Sequence, residues 1–280
     1  MDLRTGVLFV TFLVGCIAVP TPEADISVYY EHADSNARIV GGIEAANGAH
    51  PHMVALTNGV LVRSFFCGGS IISPRTILTA AHCISAVYSS GALSSNLRGI
   101  VGTNRWNQGG ELYAFTRNLT HQNYVSSTIK NDIGLLYTTT EIVFSSIVRS
   151  IPLSYQNIGA GIAVRAAGWG RIRAGGPVSA TLLQLDIETI SGQQCVEGVA
   201  QASIDFNQSA PHVEPHIELC TLHSPGFGVC NGDSGSALAR VDSGVQIGIV
   251  SWGFPCARGA PDVFVRISGY QNWLIQNVIQ

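Results

Sequence analysis

The sequence predicts an all-β fold with one helix near the C-terminus. From residue 39 onward, short apolar segments rich in valine and isoleucine are separated by glycine, proline, asparagine and serine, which is typical of a barrel or a sandwich. No alternation of strands with long helical segments appears, so parallel α/β folds are excluded. The apolar segments include residues 53–56, 70–72, 133–137, 162–167 and 246–250.

The C-terminal helix is predicted from a capping signal. Ser268 and Gln271 have the spacing of a capping box. The apolar residues of this segment then share one helical face: Tyr270, Trp273, Leu274 and Val278. We expect this helix to dock the C-terminus on the core.

Composition narrows the class of protein. The 280 residues allow one large domain or two modest ones, and a division is expected near residues 145–160, which are loop-like. Charged residues make up only 12% of the chain, which excludes an extended charged and disordered protein. The net charge of −3 excludes the basic excess that nucleic-acid binding requires.

The N-terminal residues have the pattern of targeting and processing segments. The longest apolar run, residues 6–20, follows Arg4 and ends in small residues, and it is shorter than the roughly 20 residues of a membrane span. We expect residues 1–18 to be a secretory signal peptide and the protein to be extracellular, without membrane attachment. A buried N-terminal strand is the alternative. Residues 19–38 are polar and end in Arg38, so they are expected to be an exposed, cleavable propeptide.

Seven cysteines are present, and one of them, Cys16, lies in the predicted signal peptide. An even set of six in a secreted chain predicts three disulfides, for which fifteen pairings are possible. Two glycosylation sequons, at Asn118 and Asn207, are compatible with secretion. The six cysteines are Cys67, Cys83, Cys195, Cys220, Cys230 and Cys256.

Three short motifs bring together the groups of nucleophilic catalysis. A serine hydroxyl needs a neighbouring base, histidine titrates near neutral pH, and a buried carboxylate orients the histidine. His82, Asp132 and Ser234 supply these groups. Each motif alone has a structural explanation: a core histidine, a turn-forming aspartate or a hydroxyl in a glycine-rich turn. The motifs are TAAHC at 79–83, NDIGL at 131–135 and GDSGS at 232–236.

The last motif also predicts an oxyanion hole. Glycines let the chain turn tightly around Ser234, so the backbone N–H groups of Gly232 and Ser234 are expected to point at the reacting carbonyl. Donors in this position stabilise the negative charge that develops on the oxygen in the transition state.

The chain from Ile39 to Gln280 resembles the chymotrypsin-like serine endopeptidases of the trypsin fold. The sequences IVGG, TAAHC, DIGLL, GDSG, SWG and PDVFVRI occur in that order, and the order histidine, aspartate, serine differs from that of subtilisins and α/β-hydrolases. The resemblance implies two six-stranded antiparallel Greek-key barrels with the site in the cleft between them. It also implies a monomer that needs no cofactor or metal and acts on proteins and peptides.

The resemblance implies a zymogen as well. Cleavage after Arg38 by a trypsin-like protease would free the amine of Ile39, which would enter the interior and pair with Asp233. A buried carboxylate without a partner is costly, so this pair would favour the ordered site. The implied disulfides are Cys67–Cys83, Cys195–Cys220 and Cys230–Cys256.

The resemblance also assigns the residues that bind substrate. Gly228 would form the base of the S1 pocket, and Ser251, Trp252 and Gly253 would line its mouth, which favours a large apolar side chain at P1. Asp262 departs from chymotrypsins and is similar to brachyurins, the broad-specificity collagenolytic proteases of crustaceans and insects, which also accept basic P1 residues. Alternatively, Asp262 is held by local hydrogen bonds and never meets substrate.

Single features of the sequence bear on metal binding and on the biological role. His212 and His216 have the spacing of a zinc pair, but Pro211 and Pro215 oppose the helix that such a pair needs. Between Val101 and Tyr124, where calcium-binding relatives have several acids, the only acid is Glu111, so a calcium site is not expected. A digestive protease of the gut lumen, open to protein inhibitors, is expected. The alternatives are a non-catalytic homologue that acts as a binding protein and a protease of an immune cascade.

Overall fold

The structure, a computed structural model, describes residues 39–59, 62–254 and 256–279. The predicted signal peptide and propeptide, including Arg38, lie outside these residues. Among the described residues the strands are β1 Ile43–Glu44, β2 Met53–Asn58, β3 Ser64–Ser73, β4 Thr76–Thr79, β5 Tyr88–Ser89, β6 Ala92–Leu93, β7 Leu97–Val101, β8 Glu111–Tyr113, β9 Phe115–Thr120, β10 Gly134–Thr138, β11 Ala163–Gly168, β12 Leu183–Ile190, β13 Glu218–Leu222, β14 Ala237–Arg240, β15 Gln246–Gly253 and β16 Asp262–Arg266.

Two antiparallel sheets dominate the molecule, which confirms the predicted all-β class. The first runs β8-β7-β2-β3-β4-β10-β9, and the second runs β12-β11-β14-β15-β16-β13 and closes through a pairing of β12 with β13. The first sheet has seven strands rather than the expected six, and its end strands do not pair within the described residues. It is therefore a half-barrel, and it is called the first barrel below. β1 is appended to β12, so the start of the described chain belongs to the second barrel.

The chain crosses from the first sheet to the second between Thr138 and Ala163. Each sheet has a main apolar cluster, but the cluster of the first sheet also contains Ile249 of β15 and Val265 of β16. The two sheets therefore pack against each other, and the site lies where their loops meet. The structure also contains the three disulfides that the resemblance implies: Cys67–Cys83, Cys195–Cys220 and Cys230–Cys256.

The helices are α1 Ala81–Ser85, α2 Gly192–Asp205 and α3 Gln271–Asn277. The sequence did not predict α2, which begins with a capping box: Ser191 Oγ accepts from the Gln194 amide at 3.1 Å, and Gln194 Oε1 accepts from the Ser191 amide at 2.9 Å. Its buried stripe of Cys195, Val199 and Ala202 is narrow, so its sequence carries little apolar periodicity.

The predicted capping box at Ser268 is wrong. Residues Ile267–Tyr270 form a 3₁₀ turn, and α3 starts at Gln271 without a side-chain cap. The tighter turn buries both Ile267 and Tyr270, which lie three residues apart and so on one face of a 3₁₀ helix. The helix still docks as expected, because Leu274 is fully buried in the cluster of the first sheet.

Candidate active site

His82 and Asp132 form a hydrogen-bonded pair at one edge of the first sheet. His82 lies in α1, directly after β4, and its ring Nδ1 is 2.8 Å from Asp132 Oδ2. The backbone amide of His82 also donates to Asp132 Oδ1 at 2.8 Å. The disulfide between Cys83 and Cys67 ties this helix to β3. The carboxylate therefore fixes both the position of the helix and the orientation of the imidazole.

A bulge in the second barrel supplies a further donor to Asp132. Val250 pairs with Phe264 and Trp252 pairs with Val263, so Ser251 is an extra residue in β15. A bulge of this kind redirects the side chain it carries, and Ser251 Oγ donates to Asp132 Oδ2 at 2.6 Å. The two barrels are thus joined at the carboxylate.

The pair sets the protonation of His82. Burial lowers the pKa of His82, but the charge of Asp132 and the hydrogen bond to it outweigh burial, and the pKa lies above its ordinary value. The imidazolium that forms when His82 takes a proton is therefore stabilised. The imidazole side chain remains 16% exposed, while the Asp132 side chain is wholly buried.

Ser234 sits in a tight turn packed against the strand end that precedes His82. Gly235 has φ of 81°, and a Cβ on it would collide with Thr79 Oγ1 and the carbonyl oxygen of Gly68. Only glycine combines that conformation with such a close approach. The carbonyl of Ser234 also accepts from the Gly68 amide at 2.8 Å. In the described part of the chain the Ser234 hydroxyl makes no hydrogen bond, so it is not yet paired with His82.

The backbone amides of this turn divide into two groups. The N–H groups of Asp233, Gly235 and Ser236 donate to backbone carbonyls. Those of Gly232 and Ser234 donate to no acceptor among the described residues. Unpaired amides at a glycine-rich turn are the donors that an oxyanion requires.

Asp233 points away from this cleft and into the second barrel. Its Oδ1 accepts from the amide of Gly170 at 2.8 Å and its Oδ2 from the amide of Cys230 at 3.0 Å. Burial raises the pKa of Asp233 to about 7, although these two hydrogen bonds oppose the rise. Ile39 is fully buried in the apolar cluster of the same barrel.

Asp262 lies at the base of the predicted pocket. A Cβ on Gly228 would lie 2.7 Å from its Oδ2, and a Cβ on Gly253 would lie 3.2 Å from its Oδ1. Asp262 Oδ2 also accepts from the Val229 amide at 3.0 Å. Burial raises the pKa of Asp262 to about 7, the Val229 hydrogen bond opposes the rise, and the charge of Asp233 adds to it.

The structure brings together most of the residues that the sequence singled out. Hydrogen bonds join His82, Asp132 and Ser251, and close packing joins Gly228, Gly253 and Asp262. Three residues that contact this region were not predicted from the sequence, and only the position of Lys130 two residues before Asp132 gave any signal. These residues are Lys130, Gly170 and Glu218.

The cluster of potential metal ligands found among the described residues contains no free thiolate. Atoms of Cys67, His82 and Cys83 lie within 4.8 Å of one another, but the two sulfurs are bonded to each other and are not thiolates. The segment that carries His212 and His216 is not helical, so the four-residue spacing does not place the two imidazoles on one face of a helix.

An oriented histidine beside a serine turn with unpaired amides, held between two β-barrels, defines a serine endopeptidase. Residues 39–274 match the family model described as Trypsin, and the chain belongs to the trypsin family. It is 35% identical over 243 residues to Chymotrypsin-2 of Vespa crabro, covering 85% of this chain and 99% of that protein.

Two further relatives are named trypsins. The chain is 30% identical over 241 residues to Trypsin alpha-4 of Lucilia cuprina, covering 86% of this chain and 87% of the relative. It is 30% identical over 244 residues to Trypsin delta of Drosophila melanogaster, covering 86% and 89%. Within the described residues, each helix is too short or too polar to span a bilayer.

Proposed function

We propose that Ser234 is the nucleophile of this endopeptidase, that His82 is its general base and that Asp132 orients His82. The observation that carries this proposal is the arrangement around Asp132, whose carboxylate accepts from His82 Nδ1 and from Ser251. With Nδ1 donating to the carboxylate, Nε2 is left as the basic nitrogen that faces substrate. The amides of Gly232 and Ser234 form the oxyanion hole.

The reaction proceeds by acyl transfer. Ser234 Oγ attacks the peptide carbonyl, its proton moves to His82 Nε2, and the carbonyl oxygen becomes an oxyanion held by the two amides. His82 then gives its proton to the leaving amine as the C–N bond breaks. Water repeats the sequence on the acyl-enzyme, which releases the acid and restores the Ser234 hydroxyl.

The substrate binds as an added strand. In β15, Trp252 and Gly253 pair with β16 on one side, while the described pairings with β14 extend only to Ile249. The other edge of residues 251–253 is therefore available to an extended peptide, whose backbone supplies the missing hydrogen bonds. In this arrangement we expect the P1 side chain to enter the pocket over Gly228.

The pocket accepts both large apolar and basic P1 residues. Gly228 and Gly253 leave room for a long side chain, and the carboxylate of Asp262 packs against both glycine positions. An ionised carboxylate at the base of an otherwise apolar pocket favours a guanidinium or ammonium group. The hydrogen bond from Val229 positions the carboxylate but occupies only one of its oxygens.

The protein is made as a secreted zymogen with a digestive role. Ile39 is buried and the adjacent Val40 accepts from the Gly228 amide at 3.0 Å, so cleavage after Arg38 would release an amine inside the second barrel. That ammonium would neutralise Asp233 and stabilise the oxyanion turn. The intact set of catalytic groups argues against a non-catalytic binding protein, and a broad P1 pocket suits digestion of mixed protein better than a single cascade cleavage.

A labelling experiment tests the catalytic assignment. The chain is cleaved after Arg38, treated with a serine-directed phosphonate, and the modified residue is located by mass spectrometry of peptides. We expect label on Ser234 alone, and a loss of kcat of about 10⁶-fold in Ser234→Ala. Ser236→Ala is the matched control, because that hydroxyl lies in the same turn but is buried and has no hydrogen-bond partner among the described residues. Label on another serine would refute the assignment.

A further inference from the structure

Lys130 and Glu218 form a buried ion pair between the two barrels. Lys130 Nζ lies 2.8 Å from both carboxylate oxygens of Glu218, and both residues are less than a tenth exposed. Lys130 is the only lysine in the chain. Apolar residues of similar volume often stabilise a protein as well as a buried ion pair does. The pair is therefore better explained by what it positions than by the stability it adds.

The turn that carries Lys130 is strained and docked into the second barrel. Ile129 and Asn131, on either side of Lys130, have φ of 52° and 54°, a conformation that is rare for a β-branched residue such as isoleucine. Ile129 belongs to the first sheet's connection between β9 and β10, yet it is buried in the second barrel's cluster with Trp252. The turn thus presents Lys130 to the second barrel and Asp132 to His82.

Glu218 also holds the indole of Trp252. Trp252 Nε1 donates to Glu218 Oε1 at 2.9 Å, and the Glu214 amide donates to Oε2 at 2.7 Å. Lys130 Nζ lies 5.2 Å from the centre of the Trp252 ring, within the range of a cation–π contact. The ring is fixed at its N–H edge by the carboxylate and on its face by the ammonium.

The two contacts across the barrels involve neighbouring residues on each side. Ser251 binds Asp132, and Trp252 binds the ion pair that includes Lys130. Successive side chains of a regular strand point to opposite faces, but the bulge at Ser251 lets both residues of β15 reach the same turn. The strand edge that receives substrate is thereby fixed to the carboxylate that orients the base.

We propose that Lys130 and Glu218 are positioning residues, which hold the Trp252 indole and, through it, the substrate-binding edge of β15 against the turn of Asp132. They touch neither substrate nor the reacting atoms. The inference rests on the proposed role of residues 251–253 in binding an extended peptide. It predicts that their loss affects substrates that occupy this edge more than substrates that reach only the P1 pocket.

A pair of double variants isolates the contact to the indole. The first, Lys130→Met with Glu218→Gln, removes both charges but keeps an oxygen that accepts from Trp252 Nε1. The second, Lys130→Met with Glu218→Leu, removes both charges and the acceptor, and leaves the indole N–H unpaired. Each variant is processed at Arg38, and its active sites are counted by titration with the serine-directed phosphonate, so that rates refer to folded enzyme only.

The readout is the ratio of kcat/KM for a four-residue peptide substrate to that for a single-residue ester with the same P1 residue. An unpaired buried donor is expected to lower this ratio by at least about tenfold in the double variant with Glu218→Leu, mainly through KM. The double variant with Glu218→Gln should lower the ratio by only about threefold, since it loses the Lys130 ammonium over the ring but keeps a neutral hydrogen bond to Trp252 Nε1. The ester rate should change little in either.

Three results would count against the inference. If the two double variants show the same ratio, or if both substrates lose activity equally, Lys130 and Glu218 have a structural role only and the inference is overturned. If wild-type enzyme carries label on Ser234 but cleaves the ester and the peptide equally well, the added-strand model of substrate binding fails, and the inference fails with it. Absence of label on Ser234 would instead refute the catalytic assignment itself.

Discussion

The buried aspartates of the two barrels differ in the donors from which they accept hydrogen bonds. Asp132, which belongs to the first, accepts hydrogen bonds from two side chains, those of His82 and Ser251. Asp233 and Asp262, in the second, accept only from backbone amides, and no side-chain cation among the described residues lies within ion-pair distance of either. Burial accordingly raises the pKa of both to about 7.

The folded chain itself supplies the partners of Asp132, whereas in the proposed function Asp233 and Asp262 receive a cation only after activation cleavage or substrate binding. The carboxylate that orients His82 has its partners within the described chain. Each carboxylate of the second barrel lacks a side-chain cation within that same part of the chain, and in the proposed function each receives one: the new amine of Ile39 for Asp233, and a basic P1 side chain for Asp262. Four measurements test this difference.

The largest effect is expected from Asp132→Asn. The amide would favour the wrong tautomer of His82, and kcat should fall by about 10⁴-fold with KM little changed. The measurement is single-turnover hydrolysis of a peptide with phenylalanine at P1, per titrated active site. Asp262→Asn is the matched control and should keep most of this activity. Comparable losses of activity in the two variants would contradict the proposed difference between Asp132 and Asp262.

Asp233→Asn should produce the next largest loss. Without a carboxylate to pair with the Ile39 amine, the oxyanion turn would lose its support, and kcat/KM of the processed enzyme should fall by about 10²- to 10³-fold. The comparison is with the uncut wild-type chain, which should be as poor a catalyst. Full activity of the processed variant would show that Asp233 needs no cation.

Ser251→Ala tests whether the hydrogen bond that the second barrel donates to the Asp132 carboxylate contributes to catalysis. The variant removes one of two side-chain donors to Asp132, and a hydrogen bond to a charged group corresponds to roughly a ten- to hundredfold change in rate. The expected loss is in kcat, with the acid limb of the pH profile displaced, because His82 titrates against this carboxylate. An unchanged profile would mean that His82 alone holds Asp132.

The smallest effect is a change of selectivity with pH. Below the pKa of about 7, Asp262 is protonated and neutral and attracts a basic P1 residue poorly; above it, the carboxylate is charged. The ratio of kcat/KM for arginine over phenylalanine at P1 should therefore rise about tenfold between about pH 6 and 8, as for one titrating group of the free enzyme. Taking the ratio cancels the titration of His82, which acts on both substrates.

Asp262→Asn should abolish this dependence on pH and lower arginine cleavage above the pKa of the wild-type carboxyl. If the variant cleaves arginine substrates as well as wild type does, the carboxylate is held by Val229 alone and plays no part in selection. If neither enzyme cleaves arginine substrates, the pocket is restricted to apolar residues.

The parts of the site that can be predicted from sequence are those encoded by adjacent residues. The turn around Ser234 needs glycine at Gly235, and the helix of His82 follows its strand directly, so each leaves a short signature in the sequence. The strands from residue 39 onward are predictable for the same reason, because their apolar segments and turn residues alternate locally. The assignment to two barrels comes from the resemblance to the protease family, not from the residues of any one strand.

The contacts that sequence could not predict depend on long-range register. Ser251 reaches Asp132 from 119 positions away only because one extra residue bulges in β15. Lys130 and Glu218 are 88 positions apart, and nothing in either neighbourhood indicates an ion pair. Helix starts are difficult to predict for a related reason: Ser191 and Ser268 have similar local patterns, and tertiary packing selects a capped α-helix at one and a 3₁₀ turn at the other.

The buried lysine also leaves the folded molecule without an accessible ε-amine. Lys130 is the only lysine of the chain and is 7% exposed, so lysine-directed acylating reagents should not modify it in the native state. Separation of the two barrels would expose the ε-amine of Lys130. The rate of acylation at Lys130 therefore reports how often the two barrels separate.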